Sequence, residues 1–212
     1  RQDKGKPFGN TEMRNLNVNC VTVPTADITI NHNEAAVRLK VKRDFKDASV
    51  DECKSELESV INYRFAYVKT PVKLFPDGFC DIGFGKIQSR DLCRALDGCN
   101  EAFIMGATVG IAVDRLIAKY ALISPAKHFI TDALASAAAE SLCEYVDDFL
   151  RGTGKKPMRY SPGYGDLSLG VQPDVLKMID AENTLGIVLN SSLLMTPMKS
   201  VTAVMGVKND NS

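Results

Sequence analysis

Residues able to do chemistry concentrate in one short stretch, Met158 to Leu169, which reads MRYSPGYGDLSL. Arg159 offers a planar guanidinium fork suited to a carboxylate. Tyr160 and Tyr164 each offer an aromatic face with a hydroxyl at its edge. Between them, Pro162-Gly163 sets a turn, and the missing side chain at Gly163 lets a ligand approach backbone N–H and C=O groups. Asp166 follows. The bland alternative is a surface turn with two half-buried tyrosines, and the residues alone leave both readings open.

A second candidate lies on a helix expected over Asp132 to Leu150. Leu134, Ala138, Leu142, Tyr145 and Phe149 form an apolar stripe, widened by Ala135, Ala139, Val146 and Leu150. The opposite face carries Asp132, Ser136, Glu140, Glu144 and Asp147, which reads as a solvated polar face. Two features set it apart. Asp147 and Asp148 fall in the last turn, where the helix dipole disfavours negative charge. Ala137, Ala138 and Ala139 leave the helix thin just before Glu140, open to the approach of another group.

Other chemistries find no pattern. Gly83-Phe84-Gly85-Lys86 lacks the spacing and the Ser or Thr of a phosphate loop. Gly106 to Gly110 stands between a strand and a helix but lacks both the G-x-G-x-x-G spacing and an acidic residue ~20 positions later. It reads as a tight strand-to-helix turn. The six cysteines (Cys20, Cys53, Cys80, Cys93, Cys99, Cys143) contain no C-x-x-C pair. His32 and His128 have no Cys or His at ligand spacing, so no metal site is expected. A chain of 212 residues does not need stapling, which favours reduced thiols in a cytoplasm. No nucleophile–base pair is readable, and no catalytic residue is assigned.

The elements that must position these residues read as a mixture. Alternating apolar and basic residues over Ala36 to Lys42 predict a half-exposed strand. Ser49 to Val68 reads as a helix, with Ser49 as N-cap, Glu52 completing a capping box, and Leu57, Val60, Ile61 and Phe65 as its apolar stripe. Val72 to Phe75 and Phe79 to Phe84 read as strands around a Pro76-Asp77-Gly78 turn. A short helix is expected over Ser89 to Leu96 and a buried strand over Ala102 to Ala107. Val109 to Ile123 predicts a helix, and Ser124-Pro125 opens another that reaches Leu150 or Arg151, with a break near Thr131-Asp132 and Gly152 as its stop. Gly152 to Leu169 reads as a loop and Pro173 to Ile179 as a short helix. Leu185 to Leu189, Leu193 to Thr196 and Lys199 to Val207 read as strands. The fold class expected is a single α+β domain over residues 16–207, with a flexible leader before it and a polar tail, Lys208 to Ser212, after it.

Composition excludes several classes. The 26 Lys and Arg balance 26 Asp and Glu, which argues against a general nucleic-acid binder. A 45% apolar content exceeds that of a disordered chain. The longest weakly polar run, Ala102 to Val113, is far short of the ~20 residues that span a bilayer, and no secretory signal is visible at the start. Neutrality hides an asymmetry, because residues 1–46 carry nine basic and five acidic residues while residues 81–150 carry six and ten.

Three stretches also carry a family resemblance. Arg159-x-x-Pro162-Gly163-Tyr164 resembles the R-x-x-P-G-Y signature of the activation domain of cobalamin-dependent methionine synthase. Ala139-Glu140-Ser141-Leu142-Cys143-Glu144-Tyr145 is similar to the A-E-x-x-x-E-Y helix of that domain, and Met195 to Thr202 (MTPMKSVT) to its proline-containing strand. The three occur in the family order between about Ser89 and Val207, while residues 1–85 match weakly. The resemblance implies a twisted, mainly antiparallel sheet flanked by helices, in a free-standing version that serves a methionine synthase lacking its own activation domain. It implies a site for S-adenosylmethionine formed by Glu140, Arg159, Ser161, Gly163 and Tyr164, with Glu144 and Pro162 as weaker candidates. Arg159 would pair with the methionyl carboxylate and Glu140 with the α-amino group or the sulfonium. The partners implied are a cobalamin-bearing methionine synthase and a flavodoxin-like or other low-potential electron donor. The alternative is an interaction module that docks on a corrinoid protein without turning over S-adenosylmethionine. The contact made by the family's tyrosine-bearing segment after the last strand is expected to be absent or replaced here.

Overall fold

The computed structural model describes residues 17–40, 48–151 and 158–208. In chain order these form β1 (Asn19–Val23), α1 (His32–Leu39), α2 (Ala48–Val60), β2 (Tyr63–Pro71), β3 (Lys73–Phe75), β4 (Phe79–Asp81), β5 (Lys86–Gln88) and α3 (Arg90–Ala95). There follow β6 (Glu101–Thr108), α4 (Ile111–Ile123), α5 (Pro125–Arg151), β7 (Arg159–Tyr160), α6 (Gln172–Met178), α7 (Ala181–Leu185), β8 (Val188–Leu189), β9 (Met195–Thr196) and β10 (Ser200–Val207). The main sheet is antiparallel throughout, in the order β1-β2-β6-β10-β7. Smaller sheets join β3-β4-β5 and β8-β9. The α+β fold expected from the sequence is the one observed.

Both faces of the sheet are covered, so its central strands alternate between two apolar cores rather than between core and water. On one face, Phe65, Met105 and Ala203 meet Leu57 of α2, Val113 and Ile117 of α4, and Leu134, Leu142 and Val146 of α5. On the other, Ala66, Val68, Ile104 and Val204 meet Leu92 of α3, Val175 of α6, and Ile179, Leu185 and Ile187. Each large side chain buried this way contributes about 1.5–3 kcal/mol. Gly106 sits opposite Ala66 and Thr202 at the middle of the sheet. A Cβ there would lie 2.5 Å from Ile179 Cδ1, so the absence of a side chain lets the second layer close onto the strand.

Local signals explain most of the boundaries. Ser89 accepts a hydrogen bond from Leu92 N–H at 3.0 Å and so caps α3, the short helix expected here, rather than forming its first turn. Pro76-Asp77-Gly78 turns β3 into β4 with Asp77 and Gly78 both at positive φ. Ser124-Pro125 opens α5, Ser124 Oγ accepting from Lys127 N–H at 3.4 Å.

Four expectations need correction. Residues 36–39 belong to helix α1, not to a strand. Asn31 caps that helix by accepting from the N–H groups of Asn33 and Glu34, and Ala35 packs in the core that holds α5. Seven residues of alternation are too few to outweigh a cap and a packing partner; residues 41–42 lie outside the described residues. The helix read over Ser49 to Val68 ends at Val60, and Tyr63 onward is the strand β2, whose aromatic and β-branched residues suit a sheet. Ser49 lies within α2 rather than before it. Helix α5 runs without a break through Thr131 and Asp132, with Thr131 fully buried. Leu185 ends α7 at Gly186 (φ 69°), and only Val188–Leu189 of the expected strand pair with β9. The Gly152 stop signal, the leader and all of the polar tail but Lys208 lie outside the described residues.

Candidate functional site

The stretch read as a loop over Gly152 to Leu169 contains β7, the edge strand of the main sheet, where Arg159 pairs with Met205 and Tyr160 with Val204. Neighbouring residues of a strand point to opposite faces. Arg159 thereby reaches α5, and Tyr160 packs against the second core. Burial and the neighbouring carboxylate of Asp91 in α3 hold the Tyr160 hydroxyl above the usual phenol range.

Arg159 joins two acids that stand two helical turns apart on α5. Its Nη2 donates to Glu140 Oε1 at 2.5 Å, and its Nε lies 3.2 Å from Asp147 Oδ2. Side-chain exposure grades across the cluster, from 2% at Asp147 through 20% at Arg159 to 38% at Glu140. Asp147 is therefore the buried anchor and Glu140 the face open to solvent. Burial opposes the charge on Arg159, but Cys143, Glu140 and Asp147 outweigh it and raise the guanidinium further. Burial pushes the Cys143 thiol up to about 12, so it stays neutral. One guanidinium against two carboxylates leaves one net negative charge, which suits a ligand of net positive charge.

Asp147 departs from the solvated face expected of it. The sequence held the clue: it stands seven residues after Glu140, where the helix dipole penalises it, and a buried cation removes the penalty. The small residues Ala137 and Ala138 are fully buried in the first core, so that core fills the thin part of the helix. Glu144, one turn beyond Glu140, is exposed.

The turn after β7 is closed by its own backbone. Tyr164 N–H donates to Ser161 C=O at 3.1 Å, Gly163 N–H to Leu167 C=O at 2.9 Å, and Leu167 N–H to Tyr164 C=O at 3.0 Å. Gly163 adopts φ 90°, which favours glycine. Its N–H and that of Tyr164 are thus committed within the turn, which narrows the expected backbone contacts to C=O groups. Pro162 is buried, Ser161 half-buried, and Tyr164 is 69% exposed. Asp166 has a role the sequence did not reveal. It accepts from Ser89 Oγ at 2.5 Å, Arg90 N–H at 2.8 Å and Asp91 N–H at 3.2 Å, and so holds the start of α3. The Ser89 hydroxyl and the two amides keep its carboxyl below the usual range.

Behind the turn, a cleft of about 940 Å³ is lined by Phe84, Lys86, Arg90, Asp166, Ser168 and Asp174, among others. None of Glu140, Arg159, Ser161, Gly163 or Tyr164 lines it; the structure brings Glu140 and Arg159 together, and Ser161, Gly163 and Tyr164 follow in the turn after the edge strand. Among the described residues, no group of three or more His, Cys, Asp or Glu is placed to hold a metal ion, and no helix is long and apolar enough to cross a membrane.

No family model and no curated protein matches the chain. Among solved structures, the crystal structure of the MetH reactivation domain bound to AdoHcy is similar, with a TM-score of 0.69 over 93% of this chain and 80% of that one. Sequence identity is 13%, so the likeness is one of fold. The chain has the α+β fold of the MetH reactivation domain.

Proposed function

We propose that this protein binds S-adenosylmethionine and supports the reductive methylation of cob(II)alamin on a cobalamin-dependent methionine synthase that lacks its own activation domain. The cobalamin belongs to the partner, and the electron comes from a flavodoxin-like or other low-potential donor in the cytoplasm. One electron and the sulfonium methyl group convert cob(II)alamin to methylcobalamin and leave S-adenosylhomocysteine.

The observation that carries this reading is the Arg159–Glu140–Asp147 cluster beside the R-x-x-P-G-Y turn, on a fold shared with a domain solved with AdoHcy. S-adenosylmethionine carries two positive groups and one negative group at neutral pH. Its ammonium or sulfonium suits the open side of Glu140, and its carboxylate suits Arg159. The exposed ring of Tyr164 offers a stacking face for adenine, with Ser161 and Gly163 beside it. Asp147 keeps the guanidinium in place from below.

A second reading, a docking module that contacts a corrinoid protein without turnover, is favoured by a specific observation. Arg159 and Glu140 already satisfy each other, and the turn's N–H groups bond internally.

Calorimetric titration with S-adenosylmethionine separates the two. The first reading expects saturable binding, weakened more than tenfold in Glu140→Gln and Arg159→Ala, and weakened in Tyr164→Ala with folding unchanged. Arg159→Ala is checked by circular dichroism because it uncovers Asp147. Silence at millimolar ligand with the folded protein sinks the first reading. Unchanged affinity in Glu140→Gln removes Glu140 from the site.

A further inference from the structure

The small sheet β3-β4-β5 ends at β5, whose free edge opens into the cleft behind the turn. Phe84, Gly85, Lys86, Ile87 and Gln88 all line that cleft. Successive side chains of a strand point to opposite faces, so a cleft that touches consecutive residues runs along the edge rather than over one face. The register gives the direction of the main-chain groups. Gly78 and Ser89 stand one step beyond the Phe79–Gln88 pair, and Ser89 N–H donates to Gly78 C=O at 2.9 Å. Hydrogen-bonded and non-hydrogen-bonded pairs alternate along an antiparallel ladder. Ile87 therefore bonds to Cys80, while the N–H and C=O groups of Lys86 and Gln88 point away from β4 and into the cleft. Among the described residues, these four groups have no hydrogen-bond partner.

A lysine on a short edge strand commonly guards it against pairing. Lys86 leaves this edge open, because its ammonium lies 4.4 Å over the ring of Phe75, on the far strand β3. The ends of the cleft differ in charge. Asp166 is committed to Ser89 and to two amides of α3. Arg90 follows the end of β5, and its side chain is exposed. A Cβ at Gly83, just before β5, would lie 3.0 Å from Met178 Cε of α6, so α6 with its exposed Asp174 flanks the start of the strand. Neither Arg90 nor Asp174 has an ion pair among the described residues. Phe84 and Val171 line the cleft as half-buried apolar side chains of the second core.

We propose that this edge docks an extended peptide segment of a partner protein, which adds as a fourth strand beside β5 with an acidic side chain toward Arg90 and a basic one toward Asp174. A polypeptide main chain repeats its donors and acceptors about every 7 Å, the spacing from Lys86 to Gln88. An apolar side chain of the segment covers Phe84 and Val171. The surface is separate from the S-adenosylmethionine site, none of whose proposed residues lines the cleft.

Amide chemical shifts of the isotope-labelled full chain test this. The probes are acetyl-Glu-Val-Thr-Val-Lys-amide and its reversed sequence, acetyl-Lys-Val-Thr-Val-Glu-amide, which cover both strand directions. One of them should saturate at millimolar concentration, with the Lys86 and Gln88 amides shifting most. The same peptide N-methylated at every residue keeps its side chains, loses its donors and should not bind. Arg90→Ala should weaken binding by about tenfold, and Asp174→Asn by a smaller factor. Silence of both peptides with the folded protein, equal binding of the N-methylated peptide, shifts confined to the other free edge at β1, or unchanged affinity in both variants would overturn the proposal.

Discussion

On one face of the sheet lie four helices of 8, 13, 13 and 27 residues, α1, α2, α4 and α5; on the other lie helices of 6, 7 and 5 residues, α3, α6 and α7, with the small β3-β4-β5 sheet. The long helices satisfy their own backbones and need only an apolar stripe to dock. Helices of five to seven residues are too short to persist alone. Their layer is stitched by side-chain hydrogen bonds: Asp166 to the start of α3, Gln172 Nε2 to Thr202 Oγ1 at 2.8 Å, and Thr70 Oγ1 to Ile82 C=O at 3.0 Å. The two-residue strand β7 touches both layers, through charge at Arg159 and through packing at Tyr160. The candidate site thus sits where two kinds of construction meet.

The sharpest way to break this comparison is Arg159→Met. It strands the buried Asp147 carboxylate, and unfolding in urea should show a loss of about 3 kcal/mol or more. Asp147→Asn in the same chain should recover part of the loss. Strict additivity in that double-mutant cycle would show that charge does not tie β7 to the helical layer. A smaller effect is expected in the stitched layer from Gly106→Ala. Its methyl meets the ends of Ile179 and Leu185, flexible tips that yield partly, so overpacking should cost about 1 kcal/mol. No change in the urea midpoint would mean that this layer is looser than its burial implies.

The smallest effect belongs to Asp166→Asn, because an exposed carboxylate is screened. Its folded pKa is depressed, so its stabilisation is fully present above the ordinary Asp range and is lost as pH falls through the folded value. Melting temperatures of the native chain and Asp166→Asn should differ at about pH 6 and converge at about pH 2. A difference that persists in acid would assign the effect to shape rather than charge.

Legibility in the sequence follows the same division. Val113, Leu116, Ile117 and Tyr120 of α4, and Leu134, Leu142 and Val146 of α5, repeat at helical spacing, and all are buried. The Pro76-Asp77-Gly78 turn and the short helix after Gln88 are readable because their chemistry is local. β1 carries little signal in the sequence, since its outward residues are polar or small and Phe65 of its partner β2 also continues the helical stripe of Leu57, Val60 and Ile61. Residues 36–39 misled because their short alternation satisfies two periods at once, and only docking beside α5 chooses between them. Within the site, Glu140 and Arg159 are legible by residue type and motif, whereas Asp147 is marked only by its unfavourable place in the last turn of the helix.

By itself the sequence determined α4, the extent of α5, the short helix α3, the β3–β4 hairpin and the motif turn, since each depends on contacts within a few residues. The tertiary structure alone decided which way Arg159 faces, that Asp147 is buried beneath it, and that the N–H groups of Gly163 and Tyr164 are used within the turn. The physical reason is register. β7 is placed by hydrogen bonds to β10, some 45 residues away in the chain, and a slip of one residue would exchange the faces of Arg159 and Tyr160.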